Sequence, residues 1–448
     1  MMNLQIIAQQ LECQIRGQVT DSDFITSICI DSRKVQSGAL FVALRGEHFD
    51  GHDFIATAVS QGAIAVICER PDSQIGAIPQ LIVSDTLKAL TNLAVFHRQN
   101  ITCPVIALTG SNGKTTVKEM IASILPKPSF ATFGNLNNHI GVPLSVLQLK
   151  TDHRYAVFEL GANHLHEIAH TVAIVQPKIA LINNIAPAHI EGFGSLEGVA
   201  RAKGEIYEGL TANGTAIINE DDDFAHFWDD LVKNKQVIRF SLTKPADVHA
   251  RDIHFNDRGC ASFHLVLPTG TVEIQLQVPG EHSVRNALAA SSACFAAGIA
   301  LGDIAKGLND FQGVAGRLTY LSGKNQSLVI DDTYNANLRS VVTAVNVLAK
   351  RQGRRILVLG DMGELGAWTK EHHEEIGRFA QSQGIDLLMT CGKHSEFSSQ
   401  AFGDAAHHFA SQEELAQDLL PRLNKDTTVL VKGSRSAQME KIVHQLVG

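Results

Sequence analysis

A short polar turn between an apolar run and a helix-compatible run carries the clearest chemical signal in this chain. The apolar run VIALT leads into the turn, and the run VKEMIASIL follows it. A turn in this place points backbone N–H groups, and the positive end of the helix dipole, at one spot that suits phosphate. The turn and the first residues after it are Gly110, Ser111, Asn112, Gly113, Lys114, Thr115 and Thr116.

Lys114 and Thr115 make the phosphate interpretation specific. A lysine in this position supplies a point charge for the outer phosphates of a nucleotide, and the hydroxyl that follows it can ligate Mg²⁺. One position departs from the usual phosphate-loop pattern, because Leu108 stands where that pattern has its first glycine. We expect ATP to bind here; the alternative is an ordinary strand–turn–helix junction.

Two further apolar runs end in polar residues. YAVFE ends at Glu159, and KIALINNIAPAHIEG places Asn184, His189 and Glu191 after the next run. Open parallel sheets bind ligands outside the carboxyl ends of their strands, and a carboxylate there can share Mg²⁺ with Thr115 and phosphate oxygens. The alternatives are a helix cap or a solvated acid for Glu159, and an ordinary surface residue for His189.

Four later residues could contribute to the same chemistry, and each has a plain alternative. Lys203, in GVARAKGEIYEGL, and Asn286, in PGEHSVRNALAA, could equally face solvent, and Asn286 could cap a helix. Arg317 suits charge stabilisation on a transferring phosphoryl group, and a strand-terminal Asp332 suits ribose hydroxyls. Arg317 and the pair Asp331–Asp332 could instead form surface ion pairs.

The N-terminal region holds a cluster of hydrogen-bonding groups but no catalytic signature. The cluster suits recognition of a polar, phosphorylated substrate, although ordinary turn chemistry would also explain an Asp-Gly pair. Its members are Ser32, Arg33, Arg45, His48, Asp50, Gly51 and His52.

Composition excludes several classes of function. The chain has 448 residues, 44% of them hydrophobic and 19% charged, with a net charge of −8. This charge gives no general attraction to nucleic acid or anionic lipid, so an anionic substrate must be held by local clusters. The seven cysteines are scattered singly, which indicates neither a zinc site nor a disulfide framework. With no signal peptide and no membrane-spanning run, we expect a cytoplasmic protein.

The arrangement of apolar runs predicts an α/β protein with three domains. Residues 1–82 read as a small mixed α/β domain. Residues 83–314 alternate strands and helices around the phosphate turn, which predicts a mostly parallel sheet covered on both faces, with an antiparallel hairpin from ASFHLVL and TVEIQLQV. Residues 315–448 repeat strand–helix units, which predicts a Rossmann-like, doubly wound domain.

With these motifs in order, the chain resembles the Mur ligases, three-domain ATP-dependent enzymes that form amide bonds in cell-wall precursor synthesis. The resemblance runs the full length of the chain. Two departures stand away from the proposed catalytic groups: Leu165–His166, where the family usually has a glycine before Glu167, and Leu338, where proline often follows NAN. The matching motifs are DSR, FVALRG, DGHDFI, TGSNGKTTVKEM, GNLNNHIGVPLSVL, ELGAN, AHIEGFGS, AKGEI, PGEHSVRNALAA, GRL, DDTYNAN, GDMGELG and VKGSR.

The resemblance implies roles for individual residues. Lys203 corresponds to a lysine that CO₂ converts to a carbamate, which helps to hold a second Mg²⁺ with His189. Glu159 and Thr115 would hold the first Mg²⁺. The implied catalytic residues are Lys114, Lys203, His189 and Arg317.

Nucleotide and substrate contacts are implied in the same way. His282 and Asn286 match positions near adenine, Asp332 matches a ribose contact, and Arg317 matches a phosphate contact made when the third domain closes. The implied substrate-binding residues are Ser32, Arg33, Arg45, Asp50, His52, Asn138, Asn335 and Asn337.

The resemblance also implies the reaction. The motifs favour the branch that adds D-alanyl-D-alanine to UDP-N-acetylmuramoyl-tripeptide through an acyl phosphate. The DNPR motif of the diaminopimelate- or lysine-adding branch is absent. Other Mur-type ligases, the folate-polyglutamating relative, a phosphate-loop kinase or switch, and a non-catalytic nucleotide-binding scaffold remain as alternatives. We expect a monomer; the sequence leaves open the third residue of the tripeptide and the domain arrangement.

Overall fold

A computed structural model describes residues 2–20, 22–46, 49–187 and 190–447. The predicted α/β class is confirmed, with a mixed N-terminal sheet, a mostly parallel central sheet and a mostly parallel C-terminal sheet. The predicted domain boundaries stay a prediction. Within the described ranges, no helix is both long and apolar enough to cross a bilayer.

The N-terminal region packs short helices on a five-stranded sheet, counted over the described residues, in the order β2-β7-β6-β5-β4. Its β2 edge is antiparallel and its other pairs are parallel. Two 3₁₀ turns cover Ser32–Lys34 and Gly51–Phe54. The elements are β1 Met2–Asn3, α1 Leu4–Leu11, β2 Gln14–Arg16, β3 Phe24–Ile25, β4 Ser27–Cys29, β5 Ala39–Val42, α2 Ile55–Ser60, β6 Ala63–Cys68 and β7 Gln80–Ile82.

The central region carries the phosphate turn on a sheet to which the described residues contribute nine strands, in the order β16-β15-β14-β13-β12-β11-β8-β10-β9. The elements are α3 Thr86–Gln99, β8 Val105–Thr109, α4 Lys114–Ile124, β9 Ser129–Ala131, α5 Gly141–Val146, β10 Tyr155–Glu159, α6 Glu167–Val175, β11 Ile179–Ile182, α7 Ile190–Phe193, α8 Leu196–Glu208, β12 Thr215–Asn219, α9 Asp229–Val232, β13 Gln236–Ser241, β14 Val248–Phe255, β15 Cys260–Leu267, β16 Gly270–Pro279, α10 Glu281–Ala296 and α11 Leu301–Asp310.

The position of β8 in this sheet explains why a ligand site forms at its end. β8 lies between β10 and β11, so the later strands of the chain join the sheet on both sides of β8. Such a switch point opens a crevice at the carboxyl ends of the strands. The predicted hairpin is confirmed as the antiparallel pair β15–β16 at one edge.

Alternating side chains of β8 anchor it between two helical layers. Ile106 and Leu108 pack in a core with α4, α10 and α11, whereas Val105 and Ala107 pack in the core on the opposite face. All four are fully buried. Burial of each larger apolar side chain contributes about 1.5–3 kcal/mol, so the strand that aims the phosphate turn is held rigidly.

The C-terminal region is the second doubly wound unit. The described residues place six strands in its sheet, in the order β17-β18-β22-β19-β20-β21, with only the β17–β18 pair antiparallel. The elements are β17 Thr319–Ser322, β18 Leu328–Asp332, α12 Leu338–Ala349, β19 Arg354–Gly360, α13 Thr369–Ser382, β20 Leu387–Cys391, α14 Glu396–Phe402, β21 Ala406–Phe409, α15 Gln412–Leu419, β22 Thr427–Lys432 and α16 Glu440–Leu446.

His166 gives a stability prediction, because it precedes α6 in the left-handed region at φ 70°. A residue with a β-carbon is strained there, and glycine is not. We expect His166→Gly to raise the free energy of unfolding by about 0.5–1 kcal/mol, measured by urea denaturation. His166→Ala is the matched control, since it removes the ring but keeps the β-carbon. Equal stabilisation by both variants would contradict the backbone explanation.

Candidate active site

The phosphate turn adopts the conformation that its sequence predicts. Gly113, at φ 79°, stands immediately before α4, which begins at Lys114. A β-carbon at Gly113 would lie 2.6 Å from Asn183 Nδ2 and 2.7 Å from Asn286 Oδ1, so only glycine fits. The Lys114 ammonium donates to the Gly110 carbonyl at 2.8 Å. Lys114, Thr115 and the turn therefore converge at the end of β8.

The segment after β11 and a side chain of α10 brace this turn by hydrogen bonds. Ser111 Oγ donates to the Ala186 carbonyl at 3.0 Å, and the Asn112 N–H donates to Asn184 Oδ1 at 2.9 Å. Asn183 Nδ2 donates both to the Asn112 carbonyl at 2.9 Å and to Asn286 Oδ1 at 3.1 Å. Asn286 is thus buried beside the turn rather than exposed to solvent.

Glu159 is buried and faces the turn, which agrees with its predicted place at a strand end. Its carboxylate accepts a hydrogen bond from Thr115 Oγ1 at 2.9 Å and another from Asn137 Nδ2 at 2.9 Å. The backbone N–H of Glu159 donates to Thr132 Oγ1 at 3.1 Å. Hydroxyl and carboxylate oxygens side by side are hard ligands of the kind that Mg²⁺ takes.

The donor set fits a magnesium ion that is completed by phosphate oxygens and water. Within the described ranges, no three His, Cys, Asp or Glu side chains come close enough to form a metal site by themselves. Mg²⁺ usually takes only one or two carboxylates from the protein and fills its other positions with water and phosphate. Thr115 and Glu159 meet that requirement. His189, the predicted ligand of a second ion, lies outside the described residues.

Lys203 is buried on α8, with only 2% of its surface exposed, so the solvent-facing alternative is wrong. Burial lowers the pKa of its ammonium to about 7, and repulsion from the Lys114 cation adds to this shift. Its Nζ lies 5.8 Å from the centre of the Phe193 ring. Among the described residues it has no hydrogen-bond or ion-pair partner. A large fraction of this amine is therefore neutral at pH 7.

Arg317 reaches the phosphate turn from the C-terminal region. Its Nη2 donates to Thr115 Oγ1 at 3.0 Å. Two other bonds cross the same gap, from Asn337 Nδ2 to Asn112 Oδ1 at 2.9 Å and from Arg339 Nη1 to the Ile185 carbonyl at 3.0 Å. The structure therefore shows the C-terminal region docked on the phosphate turn.

The docked C-terminal region also affects the pKa of Lys114. Burial lowers the pKa of the Lys114 ammonium, the Glu159 carboxylate raises it, and the Arg317 cation lowers it. The turn thus collects several cations around one carboxylate, a balance of charge that suits a polyphosphate.

Asp332 is buried and His282 is half-buried. The Asp332 carboxylate pairs with Lys432 Nζ at 2.6 Å and accepts the Leu318 N–H at 3.2 Å. Asp332 is therefore ion-paired in the interior and not at the surface, and its ribose contact stays a prediction. Burial raises the pKa of its carboxyl despite the lysine. Burial, with repulsion from Arg285 and Lys432, lowers the pKa of His282 to about 4. His282 is thus a neutral ring at pH 7.

Several predicted substrate residues of the N-terminal region have internal partners. His52 is buried, with Nδ1 at 2.6 Å from Asp50 Oδ1 and Nε2 accepting the Glu69 N–H at 2.9 Å. Arg45 pairs with both Asp50 and Glu69, at 3.4 Å and 3.2 Å. These contacts give the loop a defined shape, and a direct substrate contact by any of these residues stays a prediction.

The remaining predicted substrate residues lie in three places. Ser32 is buried at the start of a 3₁₀ turn, and Arg33 pairs with Asp31 at 2.9 Å at the surface. Asn138 Oδ1 accepts the Gly141 N–H at 2.8 Å, before α5. His48 lies outside the described residues, and Asn335 and Asn337 belong to the cavity described next.

A cavity of about 310 Å³ lies between the C-terminal region and the loop after β11. Asn335 and Asn337 line it together with residues of the GDMGELG and VKGSR motifs. The indole of Trp368 also lines the cavity. Trp368 is 51% exposed, and its ring stacks on His372. Residues that line the cavity include Asn335, Asn337, Trp368, His372, Arg435 and Ser436.

Some site residues were absent from the sequence predictions. Asn183 directly follows β11 and Lys432 ends β22, so the strand-end rule that selected Glu159 could have selected both. Asn137 offered no such signal, because it lies in an irregular loop and reaches Glu159 through tertiary packing.

Comparisons with known proteins match the whole length of this architecture. The Mur ligase middle domain matches residues 108–294, the Mur ligase glutamate ligase domain matches 316–435, and the Mur ligase family catalytic domain matches 24–108. Along the chain, the first two matches meet at Leu108, just before the phosphate turn, and the third begins at Gly316, next to Arg317.

Individual relatives agree with these matches. The UDP-N-acetylmuramoyl-tripeptide–D-alanyl-D-alanine ligase of Escherichia coli is 44% identical over 450 residues, which cover 99% of this chain and 98% of that protein. A crystal structure of MurF from Acinetobacter baumannii has a TM-score of 0.92 at 39% identity, covering 99% of this chain and 98% of that one. MurF from Thermotoga maritima, in complex with ADP, has a TM-score of 0.82 at 27% identity, covering 95% and 98%. The chain therefore belongs to the Mur ligase family, in the group of the UDP-N-acetylmuramoyl-tripeptide–D-alanyl-D-alanine ligases.

Proposed function

We propose that this chain is an ATP-dependent ligase that joins D-alanyl-D-alanine to UDP-N-acetylmuramoyl-tripeptide in peptidoglycan precursor synthesis. The observation that carries the proposal is the meeting of Lys114, the Thr115–Glu159 pair and Arg317 at one strand end, in a chain that aligns along its full length with ligases of that name. The products are the pentapeptide precursor, ADP and phosphate.

ATP binding follows from the turn and from the ADP-bound relative of the same fold. Lys114 and the N–H groups at the start of α4 suit the outer phosphates. Thr115 and Glu159 would hold Mg²⁺, which supplies charge neutralisation for two anions that must approach each other. Asn286 and His282 are proposed to contact the adenine ring, and Asp332 is proposed to contact the ribose.

The chain's own residues have defined tasks in the first step. The tripeptide carboxylate attacks the γ-phosphorus of ATP, a P–O bond to ADP breaks, and an acyl phosphate forms. Lys114 and Arg317 offset the repulsion between the carboxylate and the phosphate and stabilise charge on the transferring group. Docking of the C-terminal region excludes water, which would otherwise hydrolyse the acyl phosphate.

The second step joins the two peptides. The free amine of D-alanyl-D-alanine attacks the acyl carbon and a tetrahedral intermediate forms. The C–O bond to phosphate then breaks, and the proton lost by the amine is taken up by the departing phosphate. The amine must be neutral to attack, so the step requires the dipeptide to be held with its amino end toward the phosphate turn.

Lys203 is proposed to carry a carbamate. A neutral amine adds to CO₂ and loses one proton, and the product is an anion. The low pKa of about 7 and the burial of Lys203 provide the neutral amine that this addition needs. The anion would help to hold a second Mg²⁺ with His189 and would relieve the repulsion between Lys203 and Lys114.

The cavity beside Asn335 is proposed to bind the dipeptide. Its volume of about 310 Å³ suits a dipeptide but cannot enclose a muramoyl peptide linked to a nucleotide. Trp368 offers an apolar surface to the methyl groups, and the amides of Asn335 and Asn337 offer polar contacts. Arg435 pairs with Glu440 at 3.0 Å and has donors left for the dipeptide carboxylate.

Arg435 gives a prediction specific to this cavity. Arg435→Ala is expected to raise KM for D-alanyl-D-alanine at least about ten-fold, because a charged hydrogen bond to the carboxylate is lost. KM for ATP should change by less than about two-fold, measured by phosphate release.

Arg378→Ala is the matched control, because Arg378 is an exposed arginine of the same region that pairs with Glu374 away from the cavity. An unchanged KM for the dipeptide in Arg435→Ala, or an equal change in both variants, would place the dipeptide elsewhere.

The proposed cellular location follows from the substrates. ATP and UDP-linked precursors are compounds of the cell interior, so we propose a cytoplasmic enzyme. The groups proposed for both steps belong to one chain, and a monomer is sufficient for the reaction.

The proposed function is tested with purified protein, MgATP, D-alanyl-D-alanine and each UDP-muramoyl peptide in turn. We expect phosphate release to depend on both peptides and mass spectrometry to find the pentapeptide. Phosphotransfer or ATP hydrolysis without an amide product would instead favour a phosphate-loop kinase or switch. Comparing tripeptides that end in diaminopimelate and in lysine defines the third residue.

A further inference from the structure

Arg317 lies against an aromatic ring as well as against Thr115. Its guanidinium carbon is 4.2 Å from the centre of the Tyr334 ring. Its Nε is buried without a hydrogen-bond partner in the described part of the chain, while Nη2 donates to Thr115 Oγ1 at 3.0 Å. The guanidinium thus lies over the ring, and its Nη2 is directed at the phosphate turn.

The backbone on both sides of Arg317 is attached to the segment that carries Tyr334. The Tyr334 N–H donates to the Gly316 carbonyl at 3.1 Å, and the Leu318 N–H donates to Asp332 Oδ1 at 3.2 Å. Leu318 is held in the left-handed region at φ 50°, a strained conformation for leucine. Residues 316–318 are therefore anchored to the end of β18 and to the segment that follows it.

We propose that Tyr334 is a positioning residue for Arg317 in phosphoryl transfer. Its ring holds the guanidinium flat and directed at Thr115, so that docking of the C-terminal region delivers an arginine that is already oriented. A free arginine would have to be ordered at the moment of reaction, at a cost to the transition state. The inference rests on the proposed function, because it concerns the rate of the same reaction.

The test compares kcat and KM for ATP in variants of Tyr334. Tyr334→Leu is expected to lower kcat between about three- and thirty-fold, the range of a cation–π contact, with KM for ATP changed less than about two-fold. Tyr334→Phe keeps the ring face and should stay within about two-fold of the parent protein.

Pentafluorophenylalanine at position 334 keeps the shape of the ring but reverses the charge of its face. It should lower kcat as leucine does, and it tests the proposal even where Tyr334→Leu fails to fold. In an Arg317→Ala background, Tyr334→Leu should cause no further loss, because its effect passes through the arginine.

Tyr320→Leu is the matched control. Tyr320 also makes a cation–π contact, because the guanidinium carbon of Arg351 lies 5.8 Å from the centre of its ring. The Tyr320 hydroxyl donates to the Arg258 carbonyl of the central region, away from the phosphate turn. Its kcat should stay within about two-fold of the parent protein.

Three results would overturn the proposal: an unaffected Tyr334→Leu, a loss in Tyr334→Phe equal to that in leucine, or losses that multiply fully with Arg317→Ala. A parent protein that makes no pentapeptide would overturn the proposed function instead, so the two failures are distinguishable.

Discussion

Replacing Lys114 with alanine is expected to lower the rate of pentapeptide formation by about a hundred- to a thousand-fold or more. Lys114 is the first residue of α4, and its ammonium lies over the turn whose N–H groups suit the phosphates of ATP. In the proposed reaction it faces the charge that develops when the tripeptide carboxylate attacks, and exclusion of water by the docked C-terminal region would leave no solvent dipole to replace it.

Lys127→Ala is the matched control for this variant. Lys127 is an exposed lysine shortly after α4, where its Nζ donates to the Ala122 carbonyl at 3.1 Å. Lys127→Ala should leave both kcat and KM for ATP within about two-fold of the parent protein. Phosphate release and product mass are measured in the same samples. A Lys114→Ala enzyme with more than a tenth of the parent activity would contradict the assignment of the turn.

Replacing Lys203 is expected to abolish ligation while leaving the fold intact. Lys203→Ala removes the amine that would carry the carbamate, and added short carboxylic acids should restore part of the activity by supplying an anion in the vacated space. The same acids should not rescue Lys114→Ala, because that site needs a cation. Full activity of Lys203→Ala, measured as product formed per minute, would refute the carbamate role.

The free energy of unfolding distinguishes a loss of activity from a loss of the fold in Lys203 variants. The folded-state pKa of Lys203, about 7, is below its ordinary value of 10.5, so the folded state binds protons less readily than the unfolded state. The buried charge therefore destabilises the protein most below pH 7, and this penalty disappears as the pH rises toward 10.5. In CO₂-free buffer, Lys203→Met should be inactive yet more stable than the parent at pH 6, with a smaller difference at pH 9.

Much of the architecture could be predicted because local patterns and tertiary structure agree. The runs VIALT and YAVFE became adjacent parallel strands of the central sheet, and the alternating runs ASFHLVL and TVEIQLQV became its antiparallel edge. The strand-end rule also placed Glu159 correctly, since the carboxyl ends of β8 and β10 lie at the same edge of the sheet. The structure confirms the fold class, and the comparisons with known proteins confirm the family and the reaction type.

The environment of single side chains could not be predicted in the same way. Lys203 lies on a helix whose sequence is compatible with solvent exposure, and only the packing of α8 against the central sheet buries it. Asp332 is paired with Lys432, which lies 100 positions further along the chain, through strand pairing that no local pattern reveals. Contacts of Arg317 and Asn337 with the phosphate turn depend on how two sheets dock, which the sequence left open.

The direct attack of the tripeptide carboxylate on ATP is tested most sharply by isotope transfer. Tripeptide precursor with oxygen-18 in its terminal carboxylate is incubated with the enzyme, MgATP and D-alanyl-D-alanine, and the released phosphate is analysed by mass spectrometry. Attack through an acyl phosphate predicts one oxygen-18 atom in each phosphate released with pentapeptide. Pentapeptide formed together with unlabelled phosphate would contradict this route, because the carboxylate oxygen would then never have bonded to phosphorus.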